Sequence, residues 1–136
     1  MGLCLLAVLA FTATALAWSP PVKGARYTGA TVQSRSIVTL KVARNGRTVS
    51  VSVSAAPVFC GKPAVVQFEK SKPASISKRG AFKATIAYEG LFAPGVSADV
   101  YVEGRFNGKL ATGRARSKFL TVTGCDGTTG FTAKKA

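Results

Sequence analysis

The stretch VTLKVARNGRTVSVSVS, residues 38–54, decides the fold. Val38, Leu40 and Val42 alternate with Thr39 and Lys41, and Val49, Val51 and Val53 alternate with serines. Alternation at period two is the signature of a strand with one buried face. Asn45-Gly46 separates the two runs, and Asn-Gly is a strong hairpin signal because a type I′ turn needs positive φ at both central residues. Counting outward from that pair sets Val42 against Val49, Leu40 against Val51 and Val38 against Val53. Thr39 and Lys41 then meet Ser52 and Ser50 on the other face. A slip of one residue would turn one strand's apolar set toward solvent, so pattern and turn specify the same register.

The device recurs downstream. SADVYVEGRFNGKLATGRARSK, residues 97–118, is centred on Asn107-Gly108. The same counting sets Val100 against Ala115, Val102 against Gly113 and Gly104 against Ala111. On the outer face it pairs Asp99 with Arg116 as a charge pair and Tyr101 with Arg114 as a cation–π contact. ASISKRGAFKATIAY, residues 74–88, suits a three-residue Lys78-Arg79-Gly80 loop with Gly80 left-handed and Ile76 opposite Phe82. Further strands fit residues 25–31, 64–69 and 128–134, and helical signals are nearly absent. The expected fold is all-β: an antiparallel up-and-down barrel or rolled meander of about eight strands, with a β-sandwich as the alternative. The small inward residues Ala111, Gly113 and Ala115 predict a tightly filled interior.

The first 17 residues, MGLCLLAVLAFTATALA, carry no charged side chain and end in Ala15-Leu16-Ala17, a small-x-small cleavage pattern. They are expected to be a signal peptide, with an uncleaved membrane anchor as the rival. The apolar run breaks at Trp18-Ser19-Pro20-Pro21, short of the roughly 20 residues that a spanning helix needs. No Lys or Arg precedes it, so either the amino terminus alone supplies the charge or the true start lies upstream. The expected organisation is a signal peptide over 1–17, an N-terminal linker over 18–24 and a single antiparallel β domain over 25–136. The domain is expected to be a monomer without a transmembrane segment, secreted or held at the cell envelope. After cleavage two cysteines remain, Cys60 and Cys125. An even pair in an oxidising compartment predicts a disulfide that fastens the C-terminal strand to the middle of the domain. It would contribute roughly 4 kcal/mol in the chain-entropy account.

Several segments together resemble a known group. RYTGAT near the mature N-terminus, a Val-rich Asn-Gly hairpin leading to a cysteine, GAF opening a strand, VEGRFNGKLATGRAR, and the closing GCDGTTGFTAKK are similar to small exported all-β proteins of actinobacteria. The likeness spans residues 27–135. It implies the same fold, export, and a bond from a mid-chain cysteine to a C-terminal one, at Cys60 and Cys125. Phe131 stands where that group often has Trp in the last strand. The resemblance carries no catalytic residue.

The available chemistry is sparse. There is no histidine, which excludes imidazole triads and His-based metal sites. The carboxylates are Glu69, Glu89, Asp99, Glu103 and Asp126. Asp99 and Glu103 share a strand face roughly 13 Å apart, too far for a glycosidase-like pair; Arg116 and Thr112 are their expected cross-strand partners. A Ser77–Lys78 dyad is an ordinary turn neighbourhood. The chain is therefore read as a non-enzyme without metal or cofactor. Leu91 and Phe92, apolar in the connecting segment GLFAPG, either plug one end of the core or form the mouth of a ligand site.

Charge gives the clearest functional direction. Lys and Arg number 19 against 5 acidic residues, a net charge of +14. Such an excess attracts anionic polymers. The candidate anion-binding residues are Arg44 and Arg47 at the first hairpin tip, Lys70, Lys72, Lys78 and Arg79 around one loop region, and Lys134 and Lys135 at the end of the chain. Few outward aromatics are expected beyond Tyr101, which speaks against a dedicated nucleic-acid reader. The expected role is an exported non-catalytic β domain that associates electrostatically with an anionic cell-wall polymer or membrane surface. A small-ligand-binding β-barrel and a secreted inhibitor or adhesion module are the alternatives.

Overall fold

The computed structural model describes residues 17–61, 66–91 and 93–136. All but Ala17 of the expected leader lies outside these residues, as do two residues of the expected strand over 64–69. Among the described residues there is no helix. Nine strands follow one another: β1 (Arg26–Thr31), β2 (Ile37–Val42), β3 (Thr48–Val53), β4 (Glu69–Lys70), β5 (Ala74–Ser75), β6 (Ala81–Glu89), β7 (Ser97–Asn107), β8 (Leu110–Phe119) and β9 (Gly127–Lys135). They form one antiparallel sheet in the order β4-β3-β2-β1-β9-β8-β7-β6, with the short β5 also on β3. The two halves of the chain are each a meander, and the first and last strands join them, with Tyr27 opposite Lys135 and Thr31 opposite Phe131. The sheet rolls into a barrel that is closed except for one seam, between β6 and the β3–β4–β5 side. The last strand is therefore not an edge but the middle of the sheet.

The β2–β3 register is the expected one, with Val42, Leu40 and Val38 opposite Val49, Val51 and Val53. The turn that closes it is different. Gly46 alone has positive φ, 73°, while Asn45 does not. The Gly46 N–H donates to the Ala43 carbonyl, and the Ala43 N–H to that of Thr48. The connection is thus four residues, 44–47, about the same midpoint as the expected two-residue turn. Loops that share a midpoint share a register, so the pairing stands although the type I′ turn does not form.

At β7–β8 the expected register is off by two residues. Gly108-Lys109 forms the turn, with positive φ at Gly108 only (58°), the pattern of a type II′ hairpin. Val100 faces Ser117, Val102 faces Ala115, Gly104 faces Gly113 and Phe106 faces Ala111. A slip of two leaves every side chain on its own face, so alternation cannot distinguish the two registers. Packing can. The expected count would set Phe106 opposite Lys109 at the rim; the observed one seats it fully buried opposite Ala111. Burial of a Phe side chain is worth about 2–3 kcal/mol, more than the fraction of a kcal/mol in an exposed cross-strand charge pair.

The interior is filled by the inward rows. Phe106 packs edge-on against Tyr27, at 5.0 Å between ring centroids, and at a tilt against Phe82, at 5.1 Å. Ala111, opposite Phe106 on β8, is fully buried, as are Ala115 and Ala133, so small side chains make room for the large rings. Gly113 goes further: a methyl group there would lie 2.2 Å from the Glu103 carbonyl oxygen and 2.8 Å from the Phe131 ring.

Both barrel ends are covered by chain. At the end where β1 begins, residues 18–22 lie across the opening. The Trp18 indole N–H donates to the Phe106 carbonyl (2.9 Å), and the Ser19 N–H to the Asn107 Oδ1 (3.0 Å). The Val22 N–H donates to the Tyr27 hydroxyl, which itself donates to the Gly108 carbonyl at 2.5 Å. At the opposite end Ala55, Ala56 and Pro57 are buried, and the Phe59 ring sits on Gly127. The Cys60–Cys125 disulfide fastens this segment to the approach of β9, closing a separation of 65 residues. Leu91 is buried in the core, and Phe92 lies outside the described residues.

Candidate functional site

The barrel end covered by residues 18–22 collects cations from segments remote in sequence. Backbone hydrogen bonds tie these segments together: Gly24 to Ala43, Ile76 to Arg47, Phe106 to Gly80, Gly108 to Ser19, Lys135 to Lys109 and Ala136 to Arg26. Arg44 and Arg47 stand at the β2–β3 tip, Lys78 and Arg79 on the β5–β6 loop, and Lys134 and Lys135 at the end of β9. All six are exposed. Sequence spacing misses three further members, Lys23, Arg26 and Lys109, each brought in by a neighbouring strand or turn. Lys23 lies against the hairpin tip, its side chain 3.0 Å from where a Gly46 Cβ would be. Arg26 is paired with Lys41 across β1–β2. Such placement is invisible without knowing that β1 and β9 are neighbours.

Lys70 and Lys72 do not join this group. Lys70 is paired with Ser52, toward the other end of β3, and adjoins Glu69. The Ser71 N–H between the two lysines donates to the Val51 carbonyl, which holds them along the flank.

The carboxylates segregate the other way. Glu69 pairs with Val53 at the far end of β3, Glu89 ends β6, Asp99 lies near the start of β7, and Asp126 directly precedes β9. All four sit toward the disulfide end. Glu103 is mid-sheet, where it is paired with Arg114 and forms a salt bridge with it. The hydrogen bond from Arg114, and then its charge, hold the Glu103 carboxyl below the usual carboxylate range. Asp99 is opposite Lys118, and Arg116 lies over the Tyr101 ring at 4.8 Å. These partners replace the expected Asp99–Arg116, Glu103–Thr112 and Tyr101–Arg114 pairs, as the two-residue shift of register requires.

Gly80 is left-handed (φ 79°), and the three-residue Lys78-Arg79-Gly80 loop closes with the Ser77 N–H donating to the Ala81 carbonyl. The hairpin ladder stops there, because β5 turns away to pair with β3. The Ser77 hydroxyl accepts from the Ala81 N–H at 3.0 Å, a turn-closing role. Among the described residues, no three of His, Cys, Asp and Glu come together to hold a metal, and no helix is long and apolar enough to cross a membrane. No family model, curated protein sequence or solved structure matches the chain.

Proposed function

We propose that this protein is an exported, non-catalytic β domain that holds anionic components of the cell envelope through its cation-rich barrel end. One observation carries the reading: lysines and arginines from at least five segments meet at one barrel end, while four of the five carboxylates lie toward the other and the fifth, Glu103, is taken up by Arg114. Charges of one sign within a Debye length, about 8–10 Å, reinforce one another toward an approaching polyanion. The apolar leader and the disulfide are compatible with an extracytoplasmic compartment. A single dense cationic end suits a polymer or surface of repeated charge better than a small molecule.

Retention on an immobilised anionic polymer, eluted with salt, tests this. The variant K78Q/R79Q/K134Q/K135Q should elute at clearly lower salt than the native chain, and K70Q/K72Q close to it. Equal elution of the two variants would refute the assignment to the barrel end. Retention unchanged above about 0.5 M salt would refute an electrostatic basis.

A further inference from the structure

The outer face of β6 to β9 carries three shallow depressions that share lining residues and together make an open trough. It starts beside the β5–β6 turn as a depression of about 690 Å³ and runs into one of about 610 Å³ over Tyr101. It ends in one of about 360 Å³ beside Lys118 and Asp126. Arg114 lines the first two depressions, and Arg116 the second and third. Arg114, Arg116 and Lys118 alternate along β8. They therefore leave the sheet on one face at intervals of about 6.8 Å, the rise of two strand residues. This is a linear array of cations with a floor, unlike the clustered barrel end.

Two carboxylates sit within the same trough, and they select the ligand chemistry. Glu103 is held ionised by Arg114 and can only accept hydrogen bonds. Asp126 accepts from the Phe119 N–H through one oxygen. A bare phosphate polymer would meet repulsion at both. A chain bearing hydroxyls as well as anionic groups satisfies both kinds of side chain: its hydroxyls donate to the carboxylates, and its anionic groups take the guanidinium and ammonium donors. We infer that this trough binds an extended acidic polysaccharide laid along β8. The inference goes beyond the electrostatic reading, because its cations are not those of the barrel end and general attraction to that end does not require it.

The test is titration of the full chain with hexameric oligogalacturonate at physiological ionic strength, followed by amide NMR and calorimetry. Shifts should map to the outer face of β6–β9. R114Q and R116Q should each weaken binding by about tenfold, the loss expected for a charge-assisted pair. R116K should weaken it too, since it keeps the charge but loses the planar fork and the stacking on Tyr101. Both sites are exposed, so thermal melts should stay native-like. In the barrel-end variant K78Q/R79Q/K134Q/K135Q the hexamer should still shift the β6–β9 amides as in the native chain, so that failure here and failure of the proposed function are separable. Shifts confined to the barrel end would overturn the inference. So would native affinity in R116K, or equal shifts along β6–β9 from inorganic polyphosphate or single-stranded DNA of matched charge.

Discussion

The Tyr88 hydroxyl on β6 donates to the Val53 carbonyl on β3 at 2.5 Å. This bond crosses the one seam where the sheet lacks a ladder. Tyr88 and Val53 are both fully buried, so one phenol both fills core space and donates to a backbone carbonyl at the end of β3, where the pairing with β4 is only two residues long. Buried carbonyls without partners are costly.

Tyr88→Phe keeps the ring and removes the bond. We expect a loss of about 1–2 kcal/mol in urea unfolding. Amide exchange should quicken selectively along β6 and the β3–β4 edge. Unchanged exchange there would mean that the seam is held by apolar packing alone.

The same phenol makes stability fall at alkaline pH. Burial first, and the Glu69 carboxylate second, push the Tyr88 pKa well above its ordinary value. In the unfolded chain it titrates near 10. Above that pH the unfolded state releases a proton that the folded state retains, so stability is complete below about pH 10 and declines as pH rises beyond it. Urea midpoints measured from pH 9 to 11 should fall more steeply for the native chain than for Tyr88→Phe.

The disulfide closes a loop of 65 residues at the end opposite the cations. Its removal by Cys60→Ala with Cys125→Ala should cost about 4 kcal/mol, through the freedom restored to the unfolded chain. The cation-rich end, held by its own hydrogen bonds, should retain its polymer affinity as long as the double variant is folded. Calorimetry paired with salt elution checks both halves.

Gly113→Ala probes how closely β7 and β8 approach. The added methyl would fall on the Glu103 carbonyl and the Gly104 Cα, which cannot move without disturbing the ladder, and on the tip of the Phe131 ring. We expect destabilisation of about 1–3 kcal/mol, with chemical-shift changes centred on Phe131. A neutral result would show that the strands yield more readily than close packing allows.

What was legible in the residues follows from locality. Alternation marked the long strands, and a turn with the right midpoint specified the Val38–Val53 register even though its φ angles differ. At Asn107-Gly108 the same reasoning missed, because a shift of two residues preserves both faces and only the pocket for Phe106, opposite Ala111, breaks the tie. The partners of Asp99, Tyr101 and Glu103 moved with it. The cysteine pair was legible because Cys60 and Cys125 are the two cysteines outside the apolar N-terminal run, which leaves one way to pair them.

Taken by itself, the sequence determined the all-β class, the identity of the inward and outward faces, and the strong positive charge, since each depends on residues a few positions apart. Only the tertiary structure decided that β1 meets β9, that the seam falls beside β6, and that Lys23, Arg26 and Lys109 join the other cations at one barrel end. Those relations span up to a hundred residues or more, and they are set by how a twisted sheet must close around a fixed set of side-chain volumes, which no local pattern records.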